Sequence, residues 1–110
     1  MIIKPISLSV PKNTFGVMRN LGTPGTIAFN ALQTFGATGY YVQLVTGDAD
    51  GDNMIDVLSV SYPSANISAF RNTSTIGVVS MASPVSITGY ANTNFLRLGQ
   101  LNGDGKPDLL

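Results

Sequence analysis

All six acidic residues of this chain fall in two short loops, and no other part of the sequence concentrates comparable chemistry. The first loop, DADGDNMID, places carboxylates at Asp48, Asp50, Asp52 and Asp56, with the Met54 carbonyl between the last two. Alternate oxygen donors on a reversing segment wrap the chain around a centre, and Ca²⁺ takes about six to eight hard oxygen ligands. Four carboxylates this close, with no basic residue among them, repel one another unless a cation sits between them. Gly51 supplies the permissive backbone that a tight reversal needs. The spacing therefore predicts a calcium loop, against the plainer reading of a solvated Asp-Gly hairpin turn with no metal.

The second loop, QLNGDGKPD, repeats the spacing with less charge. Gln100 and Asn102 offer neutral oxygens, Asp104 and Asp108 keep their carboxylates, and the Lys106 carbonyl falls where Met54 does. Fewer charged ligands predict weaker Ca²⁺ binding, and the Lys106 ammonium adds a positive charge nearby. An EF-hand needs a bidentate acid to close its loop and helices on either side. Ser59 stands at the closing position, and VLSVSY follows with the alternation of a strand. The loop is expected on a β-hairpin.

Composition removes most other chemistry. The chain has no Cys, His or Trp, and its acids are all Asp, so thiolate or imidazole metal sites, cysteine nucleophiles and Ser-His-Asp triads are ruled out. With every carboxylate assigned to the loops, no general base remains and no enzyme is expected. Net charge is zero, 11% of residues are charged, and Lys4, Lys12, Arg19, Arg71, Arg97 and Lys106 are scattered singly. A nucleic-acid groove or an anionic membrane surface would need a clustered basic face, so neither partner is expected. The opening MIIKPISLSVPK has Pro5 and no apolar run of about 7–15 residues, so no signal peptide is expected in this chain. No stretch approaches the roughly 20 apolar residues of a membrane span.

The elements that hold these loops repeat. At an offset of 52 residues, Ser7 falls on Ser59, Pro11 on Pro63, Arg19 on Arg71, Asn20 on Asn72, Gly25 on Gly77, Gly47 on Gly99, Asp52 on Asp104 and Asp56 on Asp108. Apolar residues alternate with period two, as Ile6, Leu8 and Val10 do and as Leu58, Val60 and Tyr62 do. Further strands are expected at Phe15–Arg19 and Ile67–Arg71, Thr26–Asn30 and Val78–Ala82, and Tyr41–Thr46 and Asn94–Gly99. Turn signals lie at 11–14, 22–25, 36–39, 63–66 and 88–93. The fold class is all-β, with β-propeller blades of four antiparallel strands, about two blades per chain, and a ring completed by other chains or by missing sequence. Residues 1–110 form a single repeat region: a first repeat at 1–52, a second at 53–104, and the start of a third at 105–110.

These residues also carry a family resemblance. FGATG at Phe35–Gly39, then YYVQLVTGDADGDNMIDVLSVSY, then ANISAFRNT, resembles the FG-GAP or VCBS repeat of integrin α-chain propellers and many bacterial extracellular proteins. A second copy runs through SITGYANTNFLRLGQLNGDGKPDLL, with Thr88-Gly89 in place of Phe-Gly and Gln100 in place of the first Asp. The resemblance implies that the acidic loop joins the first two strands of a blade, with Asp48, Asp50, Asp52, Met54 and Asp56 as ligands, and an extracellular or cell-surface location. It implies a calcium-binding module for adhesion or for a protein or carbohydrate ligand, Tyr40, Tyr41, Tyr62 and Tyr90 being candidates for stacking on sugar rings. Head-to-tail blade completion into a homo-oligomer is expected. The alternative is a purely structural scaffold, or an engineered two-blade fragment that assembles into a closed oligomer. Asn66-Ile-Ser68 and Asn72-Thr-Ser74 match the N-glycosylation pattern but arise readily in chains rich in these residues.

Overall fold

Strands rich in Val, Ile, Thr, Tyr and Phe, punctuated by Gly and Asn turns, favour pleated structure over helix, and the described residues contain strands, bridges and turns but no helix. The computed structural model describes residues 2–5, 14–36, 40–62, 66–89, 93 and 95–110. The expected strand at Ile6–Val10 lies outside these residues, as do parts of the expected turns at 11–14, 36–39, 63–66 and 88–93. Among the described residues, nine strands form three antiparallel sheets: β1 (Ile2–Pro5), β2 (Thr14–Met18) and β3 (Gln33–Gly36); β4 (Tyr40–Gly47), β5 (Asp56–Tyr62), β6 (Asn66–Phe70) and β7 (Val85–Thr88); and β8 (Leu98–Gly99) with β9 (Asp108–Leu109). Each sheet is ordered as the chain runs.

The 52-residue offset is visible in this layout. β6 starts 52 residues after β2, and β7 starts 52 residues after β3. Phe15 faces Phe35 as Ile67 faces Ile87, and Gly47 faces Asp56 as Gly99 faces Asp108. The β1 pairing departs from the pattern. Pro5 lies opposite Phe15, whereas the residue equivalent to Phe15, Ile67, faces Val60, whose own equivalent is Leu8.

Two expected strands are corrected. Thr26–Asn30 and Val78–Ala82 are not regular strands; the fourth strand of the middle sheet is β7, and its counterpart is β3. Both segments pair, but through isolated bridges: Asn20 with Phe29 and Thr23 with Thr26, then Asn72 with Met81 and Thr75 with Val78. The cause is local. The Asn20 side chain accepts the Gly22 N–H at 2.7 Å, and Asn72 does the same for Ser74 at 2.9 Å. An Asx turn of this kind takes a backbone donor out of the ladder. Each ribbon then closes on a turn whose Gly25 or Gly77 has positive φ. The expected strand Asn94–Gly99 shortens to Leu98–Gly99, extended by mutual bonds between Arg97 and Leu110 at 2.9 and 3.1 Å; Asn94 lies outside the described residues.

The inner strand β5 of the middle sheet is covered on both faces. Towards the first sheet, Phe15 and Val17 pack on Tyr41, Val57 and Phe70. Phe15 stacks on Phe35 with ring centroids 5.7 Å apart and meets Phe70 edge-on at 4.9 Å. On the other side, Leu58, Val60 and Ile67 pack against Leu96 and Leu98 of the third sheet's region. Alternation therefore reads β5 only in part. Leu58 and Val60 share a face, but Val57, Ser59 and Ser61 behind them are buried too, and Tyr62 is 53% exposed. Burial of both faces is what an inner strand between stacked sheets requires.

Candidate metal site

The turn from β4 to β5 presents the acidic residues. Gly47 and Asp56 close the ladder, so residues 48–55 form the reversal between the two longest strands. Carboxylates organise that reversal by capping its own amides. Asp48 accepts the N–H groups of Gly51 (2.8 Å) and Asp52 (3.1 Å) on Oδ1 and of Asn53 (2.9 Å) on Oδ2. Asp50 Oδ1 accepts from Asp52 at 3.1 Å, and Asp52 Oδ1 accepts from Met54 at 2.9 Å. Asp56, buried at 2% exposure, accepts Ala49 N–H on Oδ2 and Asn72 N–H on Oδ1, both at 2.8 Å. Two residues take left-handed backbone, Gly51 at φ 83° and Asn53 at φ 66°. Glycine and asparagine are the residues that tolerate this region best.

This arrangement brings three of the expected ligands together. Oxygen atoms of Asp48, Asp50 and Asp56 lie within 4.8 Å of one another. Asp52 is turned aside towards Arg71, whose Nη2 lies 3.6 Å from Asp52 Oδ2 while its Nε lies 2.8 Å from Asp50 Oδ2. Met54 sits at the base of the loop with its N–H bound to Asp52. The donor set is all hard oxygen, and each carboxylate oxygen that accepts one amide retains a second lone pair. That chemistry fits Ca²⁺ and not a thiolate or imidazole metal.

The second loop repeats four of the first loop's amide caps. Leu101 N–H is bound by Asp108 Oδ2 at 2.9 Å, Gly103 N–H by Gln100 Oε1 at 3.0 Å, Asp104 N–H by Asn102 Oδ1 at 3.1 Å, and Lys106 N–H by Asp104 Oδ1 at 2.9 Å. Gly103 and Gly105 have positive φ at the places of Gly51 and Asn53. Asn102 Nδ2 also donates to Asp104 Oδ2 at 3.2 Å, which turns part of that loop's donor set on itself.

A profile of the FG-GAP-like repeat matches residues 48–110, more than half of the chain. The chain belongs to the FG-GAP-like repeat family. The matched FG-GAP-like region starts at Asp48 and takes in both loops, the strands β5 to β9, and the Asx-turn ribbon between β6 and β7. Searches of curated proteins and of solved structures gave no significant match.

Sequence reasoning missed Arg71 as a neighbour of the FG-GAP-like loop, because two strands, β5 and β6, separate them along the chain. In the repeated Arg-Asn pairs, Asn20 and Asn72 cap the amides of Gly22 and Ser74 just past their strands. Of the tyrosines considered for sugar stacking, Tyr41 is buried against Phe70 with ring centroids 6.4 Å apart, and Tyr62 is exposed. The side chain of Tyr40 and all of Tyr90 lie outside the described residues. Asn72 of the second glycosylation-like triplet is engaged with the Ile55 carbonyl at 2.9 Å. No helix of the described residues is long and apolar enough to cross a membrane.

Proposed function

We propose that this chain is a calcium-binding, non-catalytic module of the β-propeller type, extracellular, that serves binding or adhesion to a protein or carbohydrate. The convergence of Asp48, Asp50 and Asp56 carries this reading. A cation among them would relieve their mutual repulsion and fasten β4 to β5. Through Asp56 it would fasten both to the end of β6. The ligands are Asp48, Asp50, Asp52, the Met54 carbonyl and Asp56 in the first loop. In the second they are Gln100, Asn102, Asp104, the Lys106 carbonyl and Asp108, with lower affinity.

The repeat units in this reading are 1–52, 53–104 and the start of a third at 105–110, each full unit contributing one four-stranded blade. Among the described residues, the sheet β1-β2-β3 matches β5-β6-β7 in order, and β8–β9 matches β4–β5. In this reading, head-to-tail assembly places β8 of one copy beside β1 of the next and closes a ring of blades.

Molar mass in solution and thermal unfolding, each with calcium and with chelator, test both halves. Calcium at a hundredfold excess over its Kd stabilises by about 2.7 kcal/mol, so the melting temperature should rise reversibly. A melting temperature indifferent to calcium would remove the metal; a monomer at all concentrations would remove the ring. Burial of Tyr41 in the core favours a second reading, a structural scaffold without a sugar ligand. Chelation that lowers the melting temperature without abolishing any partner binding favours the scaffold, and a glycan array with and without chelator separates sugar binding from protein adhesion.

A further inference from the structure

The arginine that leans on the first loop is fixed at its backbone and exposed along its side chain. Arg71 follows Phe70, which is 1% exposed, and its carbonyl accepts the Ala82 N–H at 2.9 Å. The next residue, Asn72, is bound by Asp56 through its N–H and binds the Ile55 carbonyl through its side chain. The Arg71 side chain is nevertheless 62% exposed. Its Nε takes Asp50 Oδ2 at 2.8 Å, an oxygen of a carboxylate that converges with Asp48 and Asp56. Its Nη2 reaches Asp52, the acid that does not converge with them. A cleft of about 300 Å³ that adjoins the pair is lined by Leu58, Ala69, Val85 and Ile87, apolar surface on which the aliphatic stem of a displaced arginine can rest. Among the described residues, no ion pair reaches the second loop.

We propose that Arg71 is a tethered counter-cation of the first loop. Without metal it neutralises Asp50 and Asp52, and Ca²⁺ enters by displacing the guanidinium from Asp50 towards the cleft. Arg71 thereby lowers the affinity of the first loop and makes it sensitive to salt. The inference rests on the calcium reading, since a guanidinium and a divalent ion drawn to the same carboxylate oppose each other.

Calorimetric titration of the full chain with CaCl₂ tests it, using wild type, Arg71→Gln and Arg71→Lys at low and high NaCl. Arg71→Gln should bind roughly two- to five-fold more tightly at low salt, the scale of an exposed ion pair, and the gain should shrink at high salt. Arg71→Lys, which keeps the charge and loses the planar fork, should fall between them. In chelator, the Asp52 amide should exchange hydrogen faster in Arg71→Gln than in wild type. Equal or weaker calcium binding by Arg71→Gln overturns the inference and leaves the calcium reading standing. Absence of calcium binding in all three proteins at millimolar concentration overturns both.

Discussion

Asp56 and Asn72 are joined by a 2.8 Å hydrogen bond from the Asn72 backbone N–H to Asp56 Oδ1. The other oxygen of the same carboxylate holds the Ala49 N–H. One buried acid thus ties the start of the acidic loop to the residue where the β6 ribbon begins. The Asn72 side chain returns the connection by donating to the carbonyl of Ile55.

Replacing that acid should be the most damaging change in the loop. Asp56→Ala leaves two amide donors without their charged acceptor and should cost about 2–4 kcal/mol. Urea denaturation in chelator measures this without a contribution from metal. Asp108→Ala, at the equivalent place in the second loop, removes a carboxylate that is half exposed and holds Leu101, and should cost about 1–2 kcal/mol.

The packing of the first two sheets depends on Phe15, which is fully buried between Phe35 and Phe70. Phe15→Ala should cost about 3–5 kcal/mol. Phe95 is 78% exposed, and Phe95→Ala should stay within about 0.5 kcal/mol. A midpoint for Phe15→Ala close to that of Phe95→Ala would mean that the two sheets do not share a core.

Backbone conformation gives a subtler test. Asn53 adopts φ 66° where the second loop has Gly105 at φ 83°. Asn53→Val places a β-branched residue in the left-handed region and should cost about 1–2 kcal/mol. Asn53→Gly should be tolerated, as its counterpart already is. Thermal unfolding in chelator separates the two substitutions.

Charge should decide the difference between the loops. Four amide caps recur in both loops, but Gln100 and Asn102 are neutral where Asp48 and Asp50 are charged, and Asp48 also caps Asp52 and Asn53. Gln100→Asp combined with Asn102→Asp should raise calcium affinity at the second loop on the order of tenfold. Titration stoichiometry should move towards two ions per chain at concentrations where wild type binds one. No change would indicate that backbone geometry, and not ligand charge, limits the second loop.

The loops were legible because their information is local. Asp and Gly at fixed spacing determine both the donors and the positive-φ positions, and the recurrence of Asp56 at Asp108 marks where each hairpin closes. The inner strands were legible from Val, Leu and Tyr runs for the same reason. The last strand of each unit was misread: TIAFN at Thr26–Asn30 alternates as a strand should, yet Asn20 withdraws a neighbouring amide from the ladder, and regular pairing resumes only at Gln33. Arg71 was not legible as part of the site, because only the return of β6 beside β5 brings it to Asp50.

The central claim is that Asp48, Asp50 and Asp56 enclose a calcium ion. A crystal structure grown in millimolar CaCl₂, with anomalous scattering to identify the ion, addresses it most directly. The account predicts one calcium in the first loop, coordinated by oxygens of these three residues at about 2.3–2.6 Å, with Arg71 withdrawn from Asp50. A well-ordered first loop without an anomalous peak, its carboxylates still capping amides and pairing with Arg71 as they do here, would contradict it.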